Sequence, residues 1–199
     1  RAAVESLIRR RFAEQHQARI WHFMPCLFGL ESADGRLHGA VGFRAARAET
    51  LFLERYLDVP VEQAMQARYG VPAARDEIIE IGNLAAQGLG TARLMIVALT
   101  GWLAGQGYRW VVFTGTRVLV NSFRRLGLTP LALGPAERAR MGEEAPDWGS
   151  YYDSQPQVMF GEIAGGHRHL TTLGVLDAAA IAVAFPAAQL PERRHALCA

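Results

Sequence analysis

Cysteine is scarce in this chain of 199 residues: Cys26 lies in a strand-like run and Cys198 beside the C-terminus. The pair supplies neither a disulfide framework nor metal-ligand spacing, so a reducing, cytoplasmic location is expected. Positive charge is not concentrated either. The formal net charge is +2 and the sequence pI about 8.8, with arginines scattered instead of massed into a tail or stripe, so nucleic acid is not an expected partner. No apolar run reaches the roughly 20 residues of a spanning helix. The most membrane-like stretch, "LTTLGVLDAAAIAVAF", is interrupted by Asp177 and stopped by Pro186. It reads as a docked helix, which also makes it the candidate contact for a homodimer. The opening "RAAVESLIRRRFAEQHQARI" is too charged for a secretory apolar core. Missing too are a G-x-x-x-x-G-K-[ST] loop, the third glycine of a dinucleotide fingerprint, internal repeats and low-complexity tracts.

What is present is one α/β pattern with enough apolar residues, 50% of the chain, for a single substantial core. Val4, Leu7, Ile8 and Phe12 give an opening helix to about Glu14 its apolar stripe. Cys26 to Leu30 and Leu37 to Ala45 form a hairpin around Asp34-Gly35, and "TLFLERYL" reads as a third, shorter strand. Pro60 opens a helix that Gly70 and Pro72 close. Ile78 to Leu84 is a strand, Thr91 to Gly105 a helix and "YRWVVFTG" the next strand, an order that implies a crossover onto a parallel pair. Thr116 caps a further helix ending at Gly127, and "LTPLAL" and "QVMFGEI" return to the sheet. The segment from Gly134 to Pro156 is too rich in turn formers and charges for a core element. "AGGHRH" reads as a linker before the C-terminal helix.

The informative stretch is "EIIEIGNLAAQGLGTARLM". Alternation puts Ile79 and Ile81 on one side of a strand and Ile78, Glu80 and Gly82 on the other. A carboxylate in so apolar a run must be paired, wet or shifted in pKa. Either Glu80 forms a salt bridge to an arginine such as Arg44 on the neighbouring hairpin, or it is catalytic. Directly behind it, the amides of Gly88, Leu89, Gly90, Thr91 and Ala92 gather where a helix begins, a geometry suited to an anion.

The strand, "QGLGTA" and helix unit is similar to the acyl-CoA-binding element of the GCN5-related N-acetyltransferases, and "NSFRRLGL" resembles a later helix of that superfamily. A closer resemblance is to the thermostable hemolysin family, carried by "HFMPCLFGLESADGRLHGAVGFRAA", "LFLERYLDVPVEQAM", "EIIEIGNLAA", "WVVFTGTRVLVNSFRRLGL" and "WGSYYDSQPQVMFGEI". The resemblance implies an N-acetyltransferase-like (acyl-CoA N-acyltransferase) fold, a mixed, splayed central sheet flanked by helices that is also similar to acyl-homoserine-lactone synthases. The domain would cover 1–164, with a linker and docked helix over 165–199. It further implies an N-acyltransferase carrying an acyl group from acyl-CoA or an acylated carrier-protein phosphopantetheine to a small-molecule amine, with no metal. Glu80 would be the base and Asn83 would orient a water or polarise the thioester. Leu84 and Ala85 would pair with the pantetheine arm, Gly88 to Ala92 would hold the pyrophosphate, and Asn121 and Phe123 would complete the donor site. The superfamily often places a tyrosine where Phe123 stands, so no general acid is assigned; Tyr151 or Tyr152 are candidates. The lactone synthases carry an arginine beside the strand position where this chain has Gly82-Asn83, which argues against lactone synthesis.

Two further function classes compete. The family name suggests a membrane-active protein, for which Leu170 to Phe185 is the only candidate segment. A non-catalytic module that binds an acyl thioester or another anion is the other. His167 and His169 lack a partner ligand for a metal. Arg93, Arg117, Arg124 and Arg125 form either a positive rim for CoA phosphates or an acidic carrier protein, or a solvated surface. Trp21, Phe23 and Phe28 line an acyl channel or fill the core.

Overall fold

The computed structural model describes residues 1–32 and 34–176. Its centre is a six-stranded mixed sheet in the order β1-β2-β3-β4-β6-β5. Strands β1 (Cys26–Glu31), β2 (Leu37–Ala45) and β3 (Ile78–Ala86) form an antiparallel meander. Helix α3 (Leu89–Ala104) then carries the chain across to β4 (Trp110–Gly115), parallel to β3. Beyond it, β6 (Gln157–Glu162) runs antiparallel to β4 and β5 (Leu131–Pro135) closes the far edge.

Side-chain alternation along β3 decides which layer covers which face. Ile78 joins the largest apolar cluster with Leu53, Met65, Val112 and Phe160, under α2 (Val61–Tyr69) and the late turns. Ala40 and Ala85 meet Leu7 and Ile8 of α1 (Ala2–His16) on that same face. Ile79 turns the other way, toward Leu103 of α3 and Ile163. Burying aliphatic side chains like these contributes about 1.5–3 kcal/mol each.

Two elements differ from their sequence reading. "LFLERYL" is not a strand but a 3₁₀ turn, Phe52–Tyr56, because the Glu54 carboxylate accepts the N–H groups of Leu51 (2.8 Å) and Val61 (3.0 Å) and closes the chain locally. "AGGHRH" is not a linker: it lies within α5 (Ile163–Thr172), whose buried Ile163 and Leu170, seven residues apart, anchor one face of the helix. The loose segment before β6 is indeed built of turns, yet it sends Met141, Tyr151 and Tyr152 into the main cluster. The helix expected over Leu170 to Phe185 does not begin as one: α5 ends at Thr172 and Gly174, at φ 68°, turns the chain, while residues from 177 onward lie outside the described residues. Among the described residues no helix is long and apolar enough to cross a membrane.

Candidate functional site

The parallel pairing of β3 and β4 runs only from Ile78↔Trp110 to Ile81↔Phe113. Past Ile81 the two strands part. On the other side of β3 the register with β2 slips between Ala40 and Gly42, which face Ala85 and Gly82. The extra residue is accommodated at Asn83, whose φ of 51° is the left-handed conformation that asparagine tolerates better than most residues. Asn83 Oδ1 accepts the Met24 N–H at 2.8 Å and so ties the connection before β1 to the bulge.

The parting opens a continuous cleft of about 920 Å³. Gly82, Asn83 and Leu84 line it from β3, Phe113 and Thr114 from β4, and Phe123 from α4 (Arg117–Arg125). One end reaches Gly88, Leu89 and Ala92 at the start of α3. The cleft also takes in Glu80, beside a chamber lined by Phe12, Phe52, Tyr56, Trp148 and Tyr151. Glu144 and Asp147 also border this chamber, ion-paired with Arg55 (3.0 Å) and Arg19 (2.9 Å).

Glu80 is only 2% exposed. Its Oε2 accepts the Phe52 N–H and its Oε1 the Leu53 N–H, each at 2.9 Å. The salt-bridge reading is replaced by this pair of amides: Arg44, opposite Glu80 in register, reaches Glu49 (3.4 Å) and the Thr50 carbonyl (3.1 Å). Burial pushes the Glu80 carboxyl up to about 7, against the downward pull of the two amides and of Arg44; the Glu54 carboxylate adds to the rise. A carboxylate poised near neutrality suits proton transfer.

The same shift makes stability depend on pH. A carboxyl whose folded value lies above its ordinary 4.5 stabilises the fold below pH 4.5 and loses that contribution as pH rises to about 7. Titrating this one group is expected to remove on the order of 3 kcal/mol across that window. Thermal unfolding of the wild type and Glu80→Gln from pH 4.5 to 7.5 checks this: the difference between them should move in favour of the variant as pH rises.

The other expected residues divide. Leu84 lines the cleft, whereas Ala85 is buried against α1 and pairs with Ala40 of β2. Helix α3 begins at Leu89, two residues before the expected Thr91, so the Ala92 N–H is already bonded to the Gly88 carbonyl at 3.1 Å. Ala92 therefore contributes wall, and the amides a helix start leaves open are those of Leu89, Gly90 and Thr91. Gly88, at φ 116°, adopts a conformation that favours glycine. Phe123 stacks on Phe113 with ring centres 4.9 Å apart inside the cleft. Asn121 is not brought to it: it is exposed on α4 and faces a separate recess with Arg117 and Arg124.

Tyr152 shares a 2.7 Å hydroxyl hydrogen bond with Tyr56, whose own hydroxyl also donates to Met141 Sδ. Burial pushes the phenols of Tyr56, Tyr151 and Tyr152 upward. Tyr151 packs edge-on against His16 at 5.3 Å, and burial lowers that imidazole. His169 Nε2 lies 3.1 Å from the Leu126 carbonyl. Among the described residues no cluster of three His, Cys, Asp or Glu is placed to hold a metal. Sequence reasoning missed the Phe52 and Leu53 amides and the Phe12–Trp148–Tyr151 wall; the acidic and basic residues inside "LFLERYL" were the available sign that it was not a core strand.

A mixed sheet splayed between two parallel strands, with a bulge beside the split and a helix start at its end, is an acyl-CoA N-acyltransferase-like fold. The chain belongs to the thermostable hemolysin family, whose profile matches residues 1–167. Its fold is similar to that of the CoA-dependent acyl-homoserine lactone synthase BjaI with SAM and isopentyl-CoA (TM-score 0.58, 15% identity, 92% of each chain covered). TofI in a ternary complex with an inhibitor and MTA gives a TM-score of 0.54 at 18% identity over 90% of this chain and 92% of that one. The CoA-dependent acyl-homoserine lactone synthase MesI gives 0.53 at 14% identity over 86% and 87%. At these identities the likeness is one of fold. No curated protein matches the sequence.

Proposed function

We propose that the protein is an N-acyltransferase that takes an acyl group from a CoA-type thioester and passes it to an amine held in the chamber beside Glu80. The observation that carries this reading is the gap beyond Ile81↔Phe113, which joins a buried carboxylate to the start of α3. A pantetheine arm is long, thin and rich in amide groups. It fits between two strands that have stopped pairing, where the edge of β3 offers backbone partners near Leu84. Open amides at Leu89 to Thr91 suit the pyrophosphate.

The chemistry follows from the amine. Protonated in water, it attacks only after losing a proton, and Glu80 accepts that proton directly or through one water. The neutral amine adds to the thioester carbonyl and forms the C–N bond; the nitrogen then sheds its second proton to solvent, the tetrahedral oxyanion collapses, the C–S bond breaks and the thiolate leaves. Because Asn83 Oδ1 is engaged with Met24, its part in polarising the carbonyl falls to the Nδ2–H group. Phe123 has no proton to give, the Tyr152 hydroxyl is bonded to Tyr56, and burial pushes the Tyr151 phenol up and makes it a poor acid, so the thiolate takes its proton from solvent. BjaI is a CoA-dependent synthase, which favours acyl-CoA over an acylated carrier protein as the donor. The testing experiment is a titration with acyl-CoAs of short, medium and long chain, followed at the backbone amides lining the gap.

A further inference from the structure

We propose that Glu54 and Arg75 are positioning residues for Glu80, holding the Phe52 and Leu53 amides on its carboxylate. The inference rests on the reading of Glu80 as the base and extends it to the groups that set its proton affinity. Beyond its own strand, Glu80 is gripped at both oxygens by a five-residue 3₁₀ turn, an element too short to hold its shape unaided.

The turn is fixed from behind. Glu54, whose side chain is 8% exposed, binds Arg75 through both oxygens, with Nη1···Oε1 2.7 Å and Nη2···Oε2 2.8 Å. Its same two oxygens accept the Val61 and Leu51 N–H groups, so one carboxylate closes both ends of the turn. Arg75 also donates through Nε to the Ala46 carbonyl (2.9 Å), through Nη2 to the Glu49 carbonyl (3.2 Å) and through Nη1 to Glu62 (2.9 Å). It stands three residues before β3. A single guanidinium thus locks the turn, the segment after β2 and the start of α2 to the strand that carries Glu80. The planar fork of arginine suits this two-point grip, which lysine does not reproduce. Burial pushes the Glu54 carboxyl up, but Arg75 and the two amides outweigh it and hold the group below the usual range, ionised.

The charges that act most strongly on Glu80 are Arg44 on β2 and Glu54 on the turn, while His16 of α1 and Glu144 and Asp147 of the late turns line the same cleft; because only Glu54 is changed, this gives a test whose sign discriminates. If Glu54 acts on Glu80 merely as a nearby negative charge, Glu54→Gln lowers the Glu80 titration midpoint. If it positions the amides, the variant loosens the turn, the hydrogen bonds that favour the ionised form weaken, and the midpoint rises, by about one unit or tenfold in proton affinity. The measurement is the pH titration of the Glu80 side-chain carbonyl carbon in protein labelled at glutamate, assigned with Glu80→Gln, together with hydrogen exchange at the Phe52 and Leu53 amides. Glu54→Asp keeps the charge and shortens the reach; positioning again expects a higher midpoint, a pure charge effect none, and this variant carries the test if Glu54→Gln does not fold. A rise with faster amide exchange supports the proposal. A fall in Glu54→Gln, or lower melting temperatures with the Glu80 midpoint unmoved, overturns it. Should the midpoint rise while Glu80→Gln retains full turnover, the positioning role stands and the role of Glu80 as base does not.

Discussion

Glu80→Gln is expected to reduce acyl-transfer turnover by about 10²- to 10⁴-fold, the usual loss when a positioned base is removed, while leaving acyl-CoA affinity within about twofold. The substitution keeps the shape of the side chain and removes its capacity to take a proton. One amide hydrogen bond survives, because the glutamine oxygen accepts from Phe52 or Leu53; the other donor meets an NH₂ group, at a cost of about 1–3 kcal/mol. Above pH 7 part of that cost is offset, since the variant no longer carries the ionised carboxylate that burial disfavours. The wild-type rate should rise with pH through the Glu80 transition near 7 and then level. Release of free thiol from acyl-CoA in the presence of a panel of amines measures the rate. Equal turnover in both proteins would remove Glu80 from the chemistry and leave the cleft as a binding site.

Gly149→Ala is expected to destabilise the fold by about 3 kcal/mol or more, the sum of a disallowed backbone conformation and an unrelieved clash. Gly149 has φ 50° and ψ −124°, which only glycine adopts without strain. A Cβ there would fall inside the van der Waals surface of the His16 carbonyl oxygen and press on Gln17, all of it backbone that no rotamer change can clear. The consequence reaches the site. The end of α1 and the late turns are stitched together here by Ser150 N–H to the His16 carbonyl (2.8 Å) and Arg19 N–H to the Asp147 carbonyl (2.6 Å). Phe12 and His16 on one side of this seam and Trp148 and Tyr151 on the other form the chamber wall. For a chain of this size, a loss of 3 kcal/mol corresponds to a fall in Tm of about 6–12 °C. A variant melting within a degree or two of wild type would show that the seam yields without cost.

The fold was legible in the sequence where local pattern and burial agree. Ile78 to Leu84, the helix after it and "YRWVVFTG" have apolar periods that match their final faces, so the parallel pair could be placed. Glu80 stood out because it is the one carboxylate in a run that must be buried. Its partners were not legible, since the short apolar run of Leu51, Phe52 and Leu53 suits a strand; what overrides it is Glu54, held by an arginine 21 residues away. Asn83 was picked for its chemistry, yet its backbone conformation and its bond to Met24 depend on a register slip that no pattern in β3 announces. Asn121 lies away from the cleft, and Ala92 lines it without an open amide, for a simpler reason: the resemblance supplies the helices, but which face of α4 turns to the cleft and where α3 starts are set by packing. In α5, two glycines masked an anchored helix.

The central claim is that an acyl thioester lies in the gap between β3 and β4. It is tested most directly by titrating the isotope-labelled protein with an acyl-CoA and following the backbone amide resonances, with free CoA as control. Saturable shifts at residues 82–86, 89–91 and 114–116, stronger for acyl-CoA than for free CoA, are the predicted result. A folded protein in which no acyl-CoA shifts these amides, or in which saturable shifts fall elsewhere, would contradict it.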